Sequence, residues 1–285
     1  MSLFKKLIKR IPFATTIYAF GRNRYYQLCE WQLFKNYSQY RQALNSRGNE
    51  RIILHTRGGL KISIRQNIWD ARIVREIFIE KPYLRYCVLP EKPVIVDIGG
   101  YIGDFSIYCA KYLNPARVIV YEPTIENYEV LCENIALNHF EHVIEPINKA
   151  AGRSGELVLN VQSLDNGEMH VSSYWYEGCE RRSVQSISLE ELYQAHHLHQ
   201  LDLLKIDCEG GEYDLLPEVS DALLSITRNI VFEFHEVSEY ERKLDVIRKR
   251  LRAAGFVLYQ HGIIISACKP AHIPLASKAA AVASA

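Results

Sequence analysis

The sequence predicts a doubly wound, Rossmann-like α/β fold around a mostly parallel sheet, and three observations predict it. From residue 94 onward, short runs rich in β-branched residues alternate with helical patterns, as strands covered on both faces of a parallel sheet require. The first run enters a Gly-bearing turn at 99–103, and in open α/β sheets ligands bind beyond such strand ends. The last two runs, 256–259 and 263–267, are joined across His261-Gly262. A parallel crossover needs a dozen or more residues, so this pair must be antiparallel.

In chain order, residues 1–47 read as helices rich in Tyr and Phe. Lys5, Lys6, Lys9 and Arg10 precede an apolar stretch at 11–20 that Pro12, Thr15 and Thr16 dilute, with no small-residue cleavage site after it. This is not the pattern of a signal peptide. It suits an amphipathic segment resting on its own domain or, as a peripheral contact, on an anionic membrane surface. Runs 51–55 and 60–64 flank Thr56-Arg57-Gly58-Gly59, the residues a hairpin turn wants. Asn67 is placed to cap a helix carrying Ile73, Val74, Ile77 and Phe78, which Lys81-Pro82 ends. Pro90 and Pro93 then bracket a linker.

Strands are predicted at 94–98, 117–121, 142–147, 203–206, 230–234, 256–259 and 263–267, making seven, with helices at 104–113, 125–138 and 189–194. Residues 152–188 break the rhythm and read as an insertion near the site, with β-like pieces at 157–161 and 184–188. Tyr174, Trp175 and Tyr176 within it offer aromatic faces to an acceptor. The expected division is a helical extension (1–50), a hairpin and helix leading into the core (51–90), the main domain (91–270), and an Ala- and Ser-rich tail (271–285) expected to be disordered.

At 285 residues, with 34 basic against 33 acidic residues, the chain carries no field suited to nucleic acid. No apolar run reaches the roughly 20 residues a membrane span takes. Seven scattered cysteines, never spaced as C-x-x-C, point to reduced thiols and a cytoplasmic setting. His196, His197 and His199 lack a matching carboxylate or Cys arrangement and read as a solvated loop.

Residues 94–106 read Val-Ile-Val-Asp-Ile-Gly-Gly-Tyr-Ile-Gly-Asp-Phe-Ser. A dinucleotide frame started at Gly99 meets Tyr101 and Asp104 where glycines belong, and no Gly-Lys-Ser/Thr of a P-loop follows. Asp97 and Asp104 would also oppose a phosphate. A nucleotide-dependent oxidoreductase is therefore the disfavoured alternative. A cationic sulfonium compound fits better. Asp97 would favour the ammonium of S-adenosylmethionine, and Gly99 and Gly103 would admit its close approach. Glu122, ending the next strand, would bind the ribose hydroxyls.

These residues resemble the FkbM-type S-adenosylmethionine-dependent methyltransferases. The marks are 96–106, Tyr121-Glu122-Pro123, the Asn- and Leu-bearing helix 127–138, Asn148-Lys149-Ala150, 201–212 and 231–235. Tyr101 stands where that family usually has Asn, and Gly211 where it usually has Ala. The resemblance implies a class I methyltransferase fold and O-methylation of a sugar, glycan or secondary metabolite. It also implies that Ser106 and Ala150 join Asp97, Gly99, Gly103, Glu122 and Asp207 around the cofactor.

Residues 203–212 place Lys205 and Asp207 at the end of a central strand, with Glu209 and Glu212 on the turn beyond. So many charges at a buried strand's exit imply a cleft. Methyl transfer to a hydroxyl needs alignment and a base. Asp207 and His235 are expected to be the chemical pair, positioned by Lys205, Glu209 and Glu233. No metal is assigned, although related methyltransferases hold Mg²⁺ with acids in this region, which here would fall on Asp207 or Glu209. Trp69 and Asp70 are placed to form part of a lid. A cofactor-binding scaffold that performs no turnover is the alternative outside enzymology.

Overall fold

The structure, a computed structural model, describes residues 14–163, 169–172, 179–235 and 239–270. The expectations for the tail 271–285, for Lys5, Lys6, Lys9 and Arg10, and for Tyr174, Trp175 and Tyr176 fall outside the described residues.

Helices α1 (Ala14–Leu33) and α2 (Tyr37–Ala43) lead into an antiparallel pair, β1 (Arg47–His55) and β2 (Lys61–Asn67). Gly59 takes φ 90° in the turn between them, and the Thr56 hydroxyl accepts from Leu60 N at 2.9 Å. The Asn67 side chain caps α3 (Ile68–Arg75) by accepting from Trp69 N and Asp70 N. A π-helical turn (Glu76–Glu80) continues α3 until Lys81, at φ 52°, stops it before the 3-10 turn Pro82–Leu84.

The main sheet is built from β3 (Val94–Ile98), β4 (Arg117–Tyr121), β5 (Ile144–Ile147), β10 (Leu203–Ile206), β11 (Asn229–Glu233), β12 (Val257–His261) and β13 (Ile264–Cys268). Its order is β12-β13-β11-β10-β3-β4-β5, parallel except for β13, which runs antiparallel to both neighbours. This is the seven-stranded, mostly parallel sheet with a terminal antiparallel hairpin that the sequence predicts. Each strand feeds two cores by simple alternation. Ile95, Val118, Val120, Leu203 and Val231 enter the core beneath α3, α4 (Asp104–Tyr112) and α5 (Ile125–Leu137). Val96, Ile98, Ile119, Leu204, Ile206 and Phe232 enter the opposite one, under α6 (Leu189–Ala195), α7 (Glu212–Glu218), α8 (Asp221–Ile226) and α9 (Tyr240–Ala253). Period-2 alternation with both faces covered is the physical basis of the continuous apolar runs.

Two asparagines of α5 join the β1–β2 hairpin to this core. Asn134 accepts from Ser63 N at 2.6 Å and donates to Ser63 O and Ile102 O, each at 2.9 Å. Asn138 exchanges both bonds with Lys61. The amides complete an edge that would otherwise leave buried backbone groups unpaired.

The insertion contains more β-structure than its two expected pieces. Strands β6 (Ala150–Ala151), β7 (Gly155–Ser163), β8 (Met169–Ser172) and β9 (Glu180–Ile187) form a second sheet, in the order β6-β9-β7-β8. His196 also departs from expectation. It is buried, its ring nitrogens 2.9 Å from the Arg117 guanidinium and 2.8 Å from the Tyr121 hydroxyl, so it braces the main sheet and is not a solvated loop residue.

Candidate active site

A cavity of about 590 Å³ opens beyond the carboxyl ends of β3, β4, β10 and β11, the place a doubly wound sheet reserves for ligands. Gly99, Glu122, Ala150, Lys205, Asp207 and Glu209 line it, as do Leu157 and Leu159 of the insertion.

Asp97 does not line this cavity. Its carboxylate is wholly buried, 3.1 Å from Lys205 Nζ, and accepts from the Ser106 hydroxyl at 2.8 Å. Parallel register explains the pairing, because Lys205 lies directly opposite Asp97 across β10 and β3. Asp97 and Ser106 thus hold Lys205 from below. Lys205 donates onward to Gly99 O at 2.7 Å and lies 3.8 Å from Asp207 Oδ2. Burial alone would lower its ammonium, but Asp97, Asp207 and Asp104 more than offset that and raise it above the ordinary lysine value. The lysine is a fixed positive charge.

Asp104, at the start of α4, is itself buried. It lines the cavity and has no ion-pair partner among the described residues. Burial pushes its carboxyl up to about 8. A cation entering the cleft would favour the carboxyl's charged form and draw its proton off.

The glycines also answer to the fold. A Cβ on Gly99, at φ 80°, would stand 1.7 Å from Asp207 O; one on Gly103, at φ 81°, would stand 2.5 Å from Leu131 Cδ1, and Gly103 does not line the cavity. Gly99→Ala is therefore expected to lower stability by about 3 kcal/mol or more, from left-handed strain plus backbone overlap. Urea unfolding measures this, and wild-type stability would refute the reading.

Glu122 arrives already oriented. Tyr101 N donates to it at 2.9 Å and Thr124 N at 3.0 Å, and the Thr124 hydroxyl and Asn127 amide add to them. Four donors lock the carboxylate while leaving Oε2 room for another. Tyr101 itself, at φ 47°, is held from the other side by its hydroxyl, which donates to Asp70 at 2.7 Å. Asp70 is fully buried and accepts from Arg65 Nε and Nη2, each at 3.0 Å. Asp70 is thus an anchor for the glycine loop and not part of a lid, and only Trp69 of that pair faces the cavity.

At the opposite end, Tyr83 organises the acids. Its hydroxyl lies 2.9 Å from Asp207 Oδ2 and 3.1 Å from Glu233 Oε2. One hydroxyl has one hydrogen, so both contacts bond only if a carboxyl carries a second. Glu233 is that carboxyl, pushed up to about 8 by burial and then by the charge of Asp207. Glu233 donates to the Tyr83 oxygen, and the Tyr83 hydrogen goes to Asp207. Tyr83 keeps its own proton, since burial, Asp207 and Glu233 raise the phenol well above its ordinary value. No local pattern marks Tyr83, which lies 124 residues from Asp207 in sequence.

His235, expected as the partner base, sits among four acids. Glu212 orients it, from 3.2 Å at Nδ1, while Glu209, Asp207 and Glu233 stand 3.4 to 3.9 Å from Nε2. Burial would lower the imidazole, but the Glu212 hydrogen bond and the charges of Glu209, Glu212 and Asp207 push it up to about 9. An imidazole that already holds its proton cannot accept another. Donor atoms of Asp207, Glu233 and His235 come within 4.8 Å of one another, a spacing that a divalent cation can bridge.

Comparison with known proteins agrees with this geometry. Residues 97–258, more than half of the chain, match the methyltransferase FkbM domain. The chain belongs to the FkbM methyltransferase family. Among relatives, methyltransferase sdnD of Sordaria araneosa is 25% identical over 204 residues, covering 61% of this chain and 78% of that protein. The hexuronic acid methyltransferase AglP of Haloferax volcanii is 26% identical over 174 residues, covering 60% and 67%. A solved FkbM methyltransferase from Methylobacillus flagellatus aligns at TM-score 0.44 and 15% identity, over 68% of this chain and 47% of that one. The FkbM match starts at Asp97 and takes in Glu122, Asp207 and His235. Tyr83 and the Arg65–Asp70 anchor precede it, and both reach into the same cavity wall through Asp207 and Tyr101.

Proposed function

We propose that this chain binds S-adenosylmethionine in the cavity and transfers its methyl group to a hydroxyl oxygen of a sugar or other small metabolite. The observation that carries this reading is the set of acids lining one cleft, Glu122, Asp104, Asp207 and Glu233. Such a lining suits a ligand with ribose hydroxyls and cationic groups, and opposes a phosphate. When bound, the sulfonium supplies an already activated methyl group. The protein's part is to hold the acceptor oxygen in line with it and to take the hydroxyl proton.

Asp207 is the base in this scheme. Tyr83 fixes one of its oxygens and leaves the other toward the cleft, where the acceptor hydroxyl donates. The bound sulfonium would supply the methyl group and leave as a neutral thioether, and Asp207 would take the hydroxyl proton as the acceptor oxygen is methylated. Neutral Glu233 keeps the Tyr83 hydrogen on Asp207, and the His235 imidazolium offsets the surrounding negative charge. A sugar acceptor draws support from the hexuronic acid named for the Haloferax relative.

Asp104→Asn tests the donor end. Calorimetric affinity for S-adenosylmethionine is expected to fall roughly 10- to 100-fold, the worth of a hydrogen bond to a charged group. The same change should stabilise the unliganded protein in base. The folded carboxyl, at about 8, holds a proton that the unfolded chain releases near 4. Asp104 therefore costs stability increasingly as pH rises through that window, and the cost is complete above it. Asp104→Asn should raise the thermal midpoint by several degrees at pH 8 and change it little at pH 4. Unchanged donor affinity would remove Asp104 from the site. A screen of hydroxylated acceptors with labelled S-adenosylmethionine, read by mass spectrometry, tests the reaction, and methyl transfer to nitrogen or carbon alone would refute it.

A further inference from the structure

Helix α1 carries large apolar side chains on two sides, and only one side is covered. Its inner side packs Tyr26 under the Arg75 guanidinium at 5.2 Å and buries Glu30, 3.6 Å from Arg41 and 3.8 Å from Arg75. Its outer side shows Tyr25, Leu28 and Trp31, exposed by 60%, 60% and 53%. Spacing by three places them along one face. A helix apolar on its water-facing side keeps that surface for something that covers it.

Charge identifies what covers it. Residues 1–29 contain Lys5, Lys6, Lys9, Arg10, Arg22 and Arg24 and no acid, although the whole chain carries only +1. The rest of the chain is therefore net negative, and the positive charge is concentrated in the stretch of sequence that leads into and through α1. Arg57, from the turn between β1 and β2, lies 5.4 Å over the Trp31 ring and donates to Trp31 O at 3.4 Å. Tryptophan, tyrosine and leucine bordered by arginines match the boundary between lipid headgroups and acyl chains. There the rings enter the apolar layer, and the cations meet lipid phosphates. Pairing two copies through this face would instead bring the two cationic segments together. No described helix is long and apolar enough to cross a membrane, so the contact is with the surface.

We propose that the outer face of α1 docks on an anionic lipid bilayer, with the helix lying along the membrane plane. Arg75, which packs on α1, also lines the cavity. Docking therefore sets the cleft one helix away from the bilayer.

Co-sedimentation of the full chain with vesicles tests this, using phosphatidylcholine alone and phosphatidylcholine mixed with phosphatidylserine. The expected result is binding to the mixed vesicles, little binding to the neutral ones, and weakening by added salt. The double substitution Leu28→Ser, Trp31→Ser should lower partition into the mixed vesicles about tenfold or more. An unchanged thermal midpoint and unchanged affinity for S-adenosylmethionine in that variant would tie the loss to this face. The proposal is overturned if the wild type ignores anionic vesicles at low salt, or if the variant binds them equally well. It is also overturned if light scattering shows a dimer that the variant dissolves, which would make a second copy the occupant.

Discussion

Asp207→Asn is expected to lower turnover by about 10²- to 10⁴-fold, the usual worth of a positioned base, while affinity for S-adenosylmethionine stays within about threefold. The amide matches the carboxylate in shape and still accepts from Tyr83 at the present 2.9 Å, so the cleft keeps its form. What disappears is the capacity to receive the acceptor's proton. Glu233→Gln makes the informative comparison. Neutral Glu233 donates to the Tyr83 oxygen, and a glutamine amide also donates, so this variant should keep most of its activity and keep it above pH 8, where the native carboxyl, at about 8, ionises. Initial rates under saturating donor check both. A fully active Asp207→Asn enzyme would remove Asp207 from the chemistry. An inactive Glu233→Gln enzyme would show that Glu233 works in its charged form.

Lys205→Met is expected to cost about 3–5 kcal/mol of stability, on the order of 10 °C in the thermal midpoint. Methionine fills most of the volume, so the loss is electrostatic. Asp97 is 0% exposed and has Lys205 as its ion-pair partner at 3.1 Å. Without the lysine, a carboxylate sealed under the sheet keeps only the Ser106 hydroxyl. Removing that charge as well should recover part of the loss. The double variant Lys205→Met, Asp97→Asn is therefore expected to be more stable than Lys205→Met alone, a coupling a double-mutant cycle reads directly. Denaturant unfolding of the four proteins decides the matter. If Lys205→Met unfolds like the wild type, the buried pair is not what holds the strand ends together.

The alternation of short apolar runs with helices was legible because strands buried on both faces have few alternatives to Val and Ile. The terminal hairpin was legible because His261-Gly262 leaves no room for a crossover. Asn67 announced its helix through capping chemistry that acts within three residues. The acids Glu122, Asp207 and Glu209 were legible as cleft residues because strand-end charges have nowhere else to go. Residues 169–172 were not legible as a strand, since four residues set in a polar stretch are too short a run to stand out, and they pair because β7 lies beside them.

The roles within the cleft divide along the same line. By itself, the sequence determined which strands form, which turn opens the cavity and which acids stand at its rim, because backbone geometry and burial act over a few residues. Only the tertiary structure decided that Asp97 faces Lys205 beneath the floor while Asp104 faces the cleft. It likewise decided that Tyr83 shares its hydroxyl between two carboxyls, and that His235 answers to Glu212. Those assignments depend on distances between atoms 23 to 150 residues apart, or on which side of a strand's exit a carboxylate turns. Electrostatic energy falls with distance in space, and no local pattern records it.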